Sequence, residues 1–247
     1  MEILNENKIE DILQKLLEKG IEKINFAGGE PLLHPRLNKM LSISKRLGMT
    51  TSIVTNGFFL TPQKINELSN IVDWIGISVD SSDDEIERFL GRGFGNHVTH
   101  TREIVPHIHS QGIKLKINTV VTLANYCEDM KPLIQELNPQ RWKVFQYLHM
   151  KGINDKYDSQ MRISLEEFHQ FVLKNQDLIL MNGEKPVFET NDDMLEAYLM
   201  ISPDGQLTID SGGVYKKIDW MRFCNDPVES FIDKEKYKSR GGEYVWG

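Results

Sequence analysis

Lys23-Ile24-Asn25-Phe26-Ala27-Gly28-Gly29-Glu30-Pro31 is a short β-rich run that ends in two glycines, a carboxylate and a proline. Apolar residues closed off at once by Gly-Gly read as a strand that stops in a tight loop. On its N-terminal side, Ile9, Ile12, Leu13, Leu16 and Leu17 recur at helical spacing. Asn7, with Glu10 three residues later, gives a capping-box-like start, and Gly20 gives a stop. On its C-terminal side the alternation continues. Residues 37–47 read as a helix ending at Gly48, 51–55 as a strand, Thr61-Pro62 as a helix start with proline in the first turn, and 74–79 as a strand. Residues 98–109 read as a helix that Pro106 bends or shortens, 113–121 as a strand, 128–137 as a helix and 142–147 as a strand. Strand and helix alternating at this spacing define βα units on a parallel sheet.

Beyond residue 150 the pattern loosens. Residues 151–162 are polar and read as a loop, and Ser164 caps a helix to residue 173. Residues 186–210 hold short strand-like runs broken by Asn191-Asp192-Asp193 and by a Pro203-Asp204-Gly205 turn, and the remainder reads mostly as short helices and loops. The expected fold class is α/β: a partial (β/α) barrel over residues 1–150, with a C-terminal extension, residues 151–247, folded over its mouth.

The 40% hydrophobic and 26% charged content suits a soluble chain with a packed core. No run approaches eighteen apolar residues, so no membrane span is expected. The first twenty residues form a charged amphipathic pattern without an apolar signal region, which makes the cytoplasm the expected compartment. A net charge of −7 argues against nucleic acid as a partner but leaves room for a small nucleotide on a local basic cluster. The two cysteines, Cys127 and Cys224, form neither a disulfide framework nor a metal-ligand pair.

Ligands of parallel α/β folds sit beyond the carboxyl ends of the strands. There the sequence places Gly28, Gly29 and Glu30, then Thr55-Asn56-Gly57, then Ser78-Val79-Asp80-Ser81, then Lys116-Ile117-Asn118. Gly-Gly is a cradle or an ordinary turn; Ser78 and Asp80 meet a ribose or cap a helix; Lys116 faces inward to an anion or outward to water. Gly91-Arg92-Gly93-Phe94-Gly95-Asn96-His97 presents Arg92 and Asn96 but lacks the Lys-Ser/Thr of a P-loop. Ser239-Arg240-Gly241-Gly242 with Tyr244 and Trp246 reads as a docked terminus. His97, His100, His107 and His109 read as a solvated helix face, and no metal site is expected from them.

Together these strand-end elements resemble the radical S-adenosylmethionine (SAM) superfamily, through Ile24-Asn25-Phe26-Ala27-Gly28-Gly29-Glu30-Pro31. Within it the chain is most similar to the viperin-like enzymes of the prokaryotic type. That likeness is carried by Lys23-Ile24-Asn25-Phe26, Gly91-Arg92-Gly93, Asn96-His97-Val98, Lys116-Ile117-Asn118, Asn138-Pro139, Arg141-Trp142-Lys143-Val144-Phe145-Gln146 and Arg240-Gly241-Gly242-Glu243-Tyr244-Val245-Trp246. The resemblance implies SAM and a 4Fe-4S cluster as cofactors. It also implies conversion of a nucleoside triphosphate (CTP, UTP or GTP) to its 3′-deoxy-3′,4′-didehydro form in antiviral, anti-phage defence, with flavodoxin or ferredoxin as reductant. By position, it implies that Gly28, Gly29 and Glu30 hold the SAM ammonium and that Thr55, Asn56 and Asn118 line its pocket. Ser78 and Asp80 lie near its ribose, and Arg92 pairs with its carboxylate. Asn96, Lys116, Lys216 (or Lys217) and Arg240 take the nucleotide, Arg240 with a guanidinium fork suited to phosphate, and Tyr198 supplies a hydrogen atom. The extension would thus cap the site and complete nucleotide binding.

The pattern departs from the family at one place. Its Cys-x-x-x-Cys-x-x-Cys is expected ahead of the first helix, where this sequence begins at Met1, and three thiolates are needed for three irons. The preferred expectation is a true start further upstream, with Met1 internal. A split enzyme whose partner holds the cluster, a non-catalytic binder of SAM or nucleotide, and a remnant without function are the alternatives. Each leaves the isolated chain inactive and one barrel strand short, with an exposed parallel edge.

Overall fold

A computed structural model describes residues 4–150, 152, 154–194, 198–211, 214–239 and 241–242. Six parallel strands form a curled half-barrel in sequential order: β1 (Lys23–Phe26), β2 (Thr50–Thr55), β3 (Trp74–Ser78), β4 (Lys114–Val121), β5 (Arg141–Gln146) and β6 (Val187–Glu189). The helices α1 (Glu6–Glu18), α2 (Leu37–Arg46), α3 (Pro62–Leu68), α4 (Asp84–Phe89), α5 (His97–Ser110), α6 (Lys131–Leu137), α7 (Asp158–Met161) and α8 (Leu165–Asn175) precede or connect the strands. None of the described helices is long and apolar enough to cross a membrane.

Local chemistry sets the boundaries. The cap of α1 is Asn5, which accepts the Lys8 amide at 2.9 Å; Asn7, the expected start, lies within the first turn, two residues past the cap. Asn5 has the extended backbone that a cap requires, so the helix begins there. Ser164 and Glu167 complete a reciprocal capping box on α8. Helix α5 runs on through Pro106 to Ser110 and is not shortened. Helix α6 ends where Asn138 turns left-handed (φ 48°), ahead of Pro139, so the chain drops directly into β5.

The core lies between the sheet and its helices. Ile53, Ile75, Ile77, Leu115, Ile117 and Trp142 point outward from the barrel and are almost fully buried beneath Leu41, Ile65, Ile108, Ile134 and Phe171. Because strand side chains alternate, the opposite positions of the same strands line the barrel interior. A second core joins α1 and α2 to the C-terminal extension. The extension comprises α9 (Asn191–Met194), the antiparallel strands β7 (Leu199–Ile201), β8 (Leu207–Ser211) and β9 (Val214–Ile218), then α10 (Trp220–Asn225) and α11 (Lys234–Ser239). Leu207, Ile218, Phe223 and Phe231 pack there against Ile9, Leu13, Leu16 and Ile43. The Pro203-Asp204-Gly205 turn links β7 to β8 as expected, while β9 falls in a stretch that reads as helix and loop.

Asn138 gives a local test. Replacement by Ala should cost about 1 kcal/mol in urea unfolding, and replacement by Gly should stay within a few tenths, because only the left-handed backbone is at issue.

Candidate active site

All six strands deliver their carboxyl ends to one rim. After β1, Gly28 and Gly29 adopt φ of +96° and +51°, which favours glycine, and a Cβ added to either meets nothing within 4 Å. Their backbone therefore borders open space. Glu30 is engaged on both oxygens. Oε1 accepts the Thr55 hydroxyl at 2.6 Å and the Leu32 amide at 3.1 Å, and Oε2 accepts the Asn56 amide at 2.9 Å. Glu30, Thr55 and Asn56 thus form one unit that laces the tips of β1 and β2 together.

At the tip of β3, Asp80 is 4% exposed; Oδ1 accepts the Val120 amide at 2.8 Å and Oδ2 pairs with the Arg92 guanidinium. Burial works against the Arg92 charge, yet Asp80 and Glu87 together push its pKa upward. The Ser78 carbonyl meets His97 Nε2 at 2.8 Å. Of the four histidines expected on a solvated face of α5, His107 is exposed, but His97, His100 and His109 are not free in solvent. His97 is buried, His100 Nε2 lies 3.2 Å from the Gly57 carbonyl, and His109 Nε2 lies 3.0 Å from the Leu137 carbonyl. Helical spacing shows which residues share a face but not what packs over it, and α5 lies across the β3 tip.

The interior below this rim is basic. Alternation brings Lys23 of β1, Lys114 and Lys116 of β4, and Arg141 and Lys143 of β5 to the inner face, opposite the outward Leu115, Ile117, Trp142 and Val144. Lys23 and Lys114 lie over the Trp74 ring at 4.9 and 5.4 Å. Lys143 pairs with the fully buried Glu189, whose Oε2 accepts the Tyr198 hydroxyl at 3.2 Å. Arg141 donates to the Gly241 carbonyl, so the extension reaches the interior at Tyr198 and at Gly241. Lys116 has no hydrogen bond or ion pair among the described residues. Burial first, then the charges of Lys143, Lys23 and Arg141, lower its pKa to about 7. Lys23 is likewise lowered to about 7 by burial and by Arg141, Lys143 and Lys114. Beside them Asn118 is 9% exposed with Oδ1 unpartnered among the described residues. Gly76 faces the same space: a Cβ there would stand 3.0 Å from Val54 Cγ2 and 3.1 Å from Lys116 Cε.

Lys116 and Asn118 therefore point inward, and Asp80 and Arg92 meet. Asn96 is exposed at the cap of α5, Lys216 is exposed on β9, and Arg240 lies outside the described residues. Arg141, Lys143, Glu189 and Glu87 carry charge here without having been singled out as site residues. The signal for the first two was present in the alternation of Arg141 and Lys143 with Trp142 and Val144.

A profile of the radical SAM superfamily matches residues 1–137. The SAM-dependent nucleotide dehydratase of Thermoplasmatales archaeon (strain ISO4-H5) is 36% identical over 236 residues, covering 96% of this chain and 84% of that protein. The SAM-dependent nucleotide dehydratase RSAD2 of Oncorhynchus mykiss is 31% identical, covering 95% of this chain and 70% of its own length. Against the Lacinutrix mariniflava relative, 36% identical, the chain spans 52% of that protein's length. Among solved structures, Streptococcus suis SuiB bound to S-adenosylmethionine superposes with a TM-score of 0.65 at 17% identity, covering 98% of this chain and 62% of that one, a likeness of fold. The chain belongs to the radical SAM superfamily and, within it, to the nucleotide dehydratase family.

That superfamily uses SAM and a 4Fe-4S cluster. The open glycine cradle and the orphaned Asn118 oxygen fit SAM. The cluster does not fit here: among the described residues no grouping of three His, Cys, Asp or Glu side chains is placed to hold a metal, and both cysteines are exposed.

The lysine wall has a measurable cost. A lysine whose pKa falls from its ordinary value to about 7 on folding destabilises the chain fully below about pH 7, and that penalty fades as pH rises toward about 10.5. Lys116→Met should therefore stabilise the ligand-free chain by about 1–2 kcal/mol, as measured by urea unfolding. The gain should be largest near about pH 6 and shrink at higher pH.

Proposed function

We propose that this chain is a SAM-dependent nucleotide dehydratase that removes water from the ribose of a nucleoside triphosphate. The observation that carries the reading is the basic inner wall directly beneath the glycine-rich rim. A phosphate chain is the ligand that turns the costly burial of the Lys116 ammonium into a favourable contact, with Arg141 and Lys143 beside it. The names of the relatives, SAM-dependent nucleotide dehydratases, agree with a nucleotide substrate.

In this reading SAM lies at the rim. Gly28 and Gly29 offer backbone to its ammonium, with Glu30 holding Thr55 and Asn56 beside it. Ser78, Asp80 and Asn118 face its ribose, and Arg92 takes its carboxylate. When bound, SAM supplies the group that abstracts hydrogen from the substrate ribose. The triphosphate of CTP, UTP or GTP extends inward to Lys116, Arg141 and Lys143, with Asn96, Lys216 and Arg240 completing the contacts. Tyr198, held at the interior by Glu189, returns a hydrogen atom. A flavodoxin or ferredoxin is the reductant, the cytoplasm the setting, and a nucleotide without its 3′ hydroxyl suits antiviral chain termination.

Calorimetry with CTP, UTP and GTP tests the substrate site. At least one triphosphate should bind, and Lys116→Ala and Arg141→Ala should each weaken binding by about tenfold or more. Binding should weaken as pH rises above about 7, because lysines that have lost their protons must regain them to hold an anion. No binding by any triphosphate, or affinities indifferent to both substitutions, would refute the site.

A further inference from the structure

We infer that Glu87 is a positioning residue of the SAM site: its carboxyl holds the β3 tip and its backbone carbonyl holds the Arg92 loop. The inference rests on the proposed SAM reading, in which Ser78, Asp80 and Arg92 receive the cofactor, and it adds a group that does not touch SAM.

Glu87 projects from α4 and is completely buried. Oε1 accepts two consecutive backbone amides of the β3 tip, Asp80 at 2.6 Å and Ser81 at 2.5 Å. Its own backbone carbonyl accepts the Arg92 amide at 2.8 Å. One residue therefore fixes the strand end that carries Asp80 and the loop that carries Arg92. The surroundings make this an unusual place for a second negative charge. From the β3 tip Asp80 faces it, from the loop Arg92, and from α5 His97, whose Nε2 lies 3.7 Å from Oε2; Asp84 of α4 acts on His97 in turn. Arg92 is already paired with Asp80.

His97 is a poor source of the missing positive charge: burial, together with Arg92, lowers its pKa, although its Nε2 donates to the Ser78 carbonyl, a bond that favours the protonated ring. Glu87 Oε2 has no hydrogen-bond partner among the described residues. Two buried carboxylates thus share one guanidinium, and the arrangement balances when one carboxyl is neutral. Burial and the charge of Asp80 push the Glu87 pKa up to about 8, while the two amides and Arg92 pull it the other way. At neutral pH the proton stays on Glu87, and Arg92 answers to Asp80 and to an incoming carboxylate. Above that pH, ionised Glu87 competes with the SAM carboxylate for Arg92.

The test uses Glu87→Gln, which keeps an oxygen for the two amides and cannot ionise, and Glu87→Ala, which removes both. In the wild-type chain the NMR signals of the Asp80 and Ser81 amides should shift in a step centred above about pH 7, absent in Glu87→Gln. Calorimetry with SAM should show wild-type affinity falling about fivefold between about pH 7 and about pH 9, with less than about twofold change in Glu87→Gln. Glu87→Ala should lose most SAM affinity. The inference is overturned if the two amides do not titrate with Glu87, if Glu87→Gln follows the wild-type pH profile, or if Glu87→Ala binds SAM normally. Should the wild-type chain bind no SAM at either pH, the SAM reading falls and the inference with it; an intact amide step would then show that the failure lies in the ligand assignment and not in the Glu87 network.

Discussion

The register of β3 on β4 is the constraint on which the interior depends. Gly76 lies opposite Lys116, and Ser78 opposite Asn118, in a parallel ladder. Side chains alternate with a period of two, so a slip of one residue would send Lys116 and Asn118 into the helical layer and bring Leu115 and Ile117 inside. The apolar halves of these strands prevent that slip. Ile75, Ile77, Leu115 and Ile117 are essentially inaccessible to solvent, and moving them to the cavity would forfeit roughly 1.5–3 kcal/mol each. The hydrophobic layer outside the barrel thereby positions the charged layer inside it.

The two layers make opposite demands. Outside, burial is favourable at every position. Inside, five cationic side chains come from three strands, with Glu189 bound to one of them. Stability gained in the helical layer offsets the cost of burying the Lys116 ammonium, as expected of a site shaped for a ligand. At the rim, by contrast, the charges are already matched or neutralised, and the glycines leave the backbone exposed.

Much of the fold was legible in the sequence, because its signals are local. Strands β1 to β5 announce themselves through apolar runs bounded by glycine, proline or asparagine, and Asn138-Pro139 marks the end of α6 within the sequence itself. The three-residue β6 gives little pattern, and α4 is so short and acidic that the stretch holding Glu87 shows no helical period. Motif reading found the rim residues Asp80 and Arg92. It did not show that they form an ion pair, because their meeting depends on how the 91–95 loop folds back. Arg141 and Lys143 escaped notice for a different reason: a charged residue in a strand ordinarily faces water, and only closure of the sheet turns that face inward. His97 was misread because burial depends on the neighbouring strand tip.

The bare backbone at Gly76 also sets how this cavity can be reshaped. Lys116 crosses the barrel where any other residue at position 76 would stand, and a methyl there would press on its Cε at 3.1 Å. The nearer obstacle, Val54 Cγ2 at 3.0 Å, belongs to a stiff β-branched side chain, whereas the lysine stem can bend aside without unfolding the sheet. Position 76 works as a set-screw with a single notch: one methyl shifts the lysine stem, and anything larger presses on Val54, so protein engineers can alter the cavity here by one small step without removing a charge.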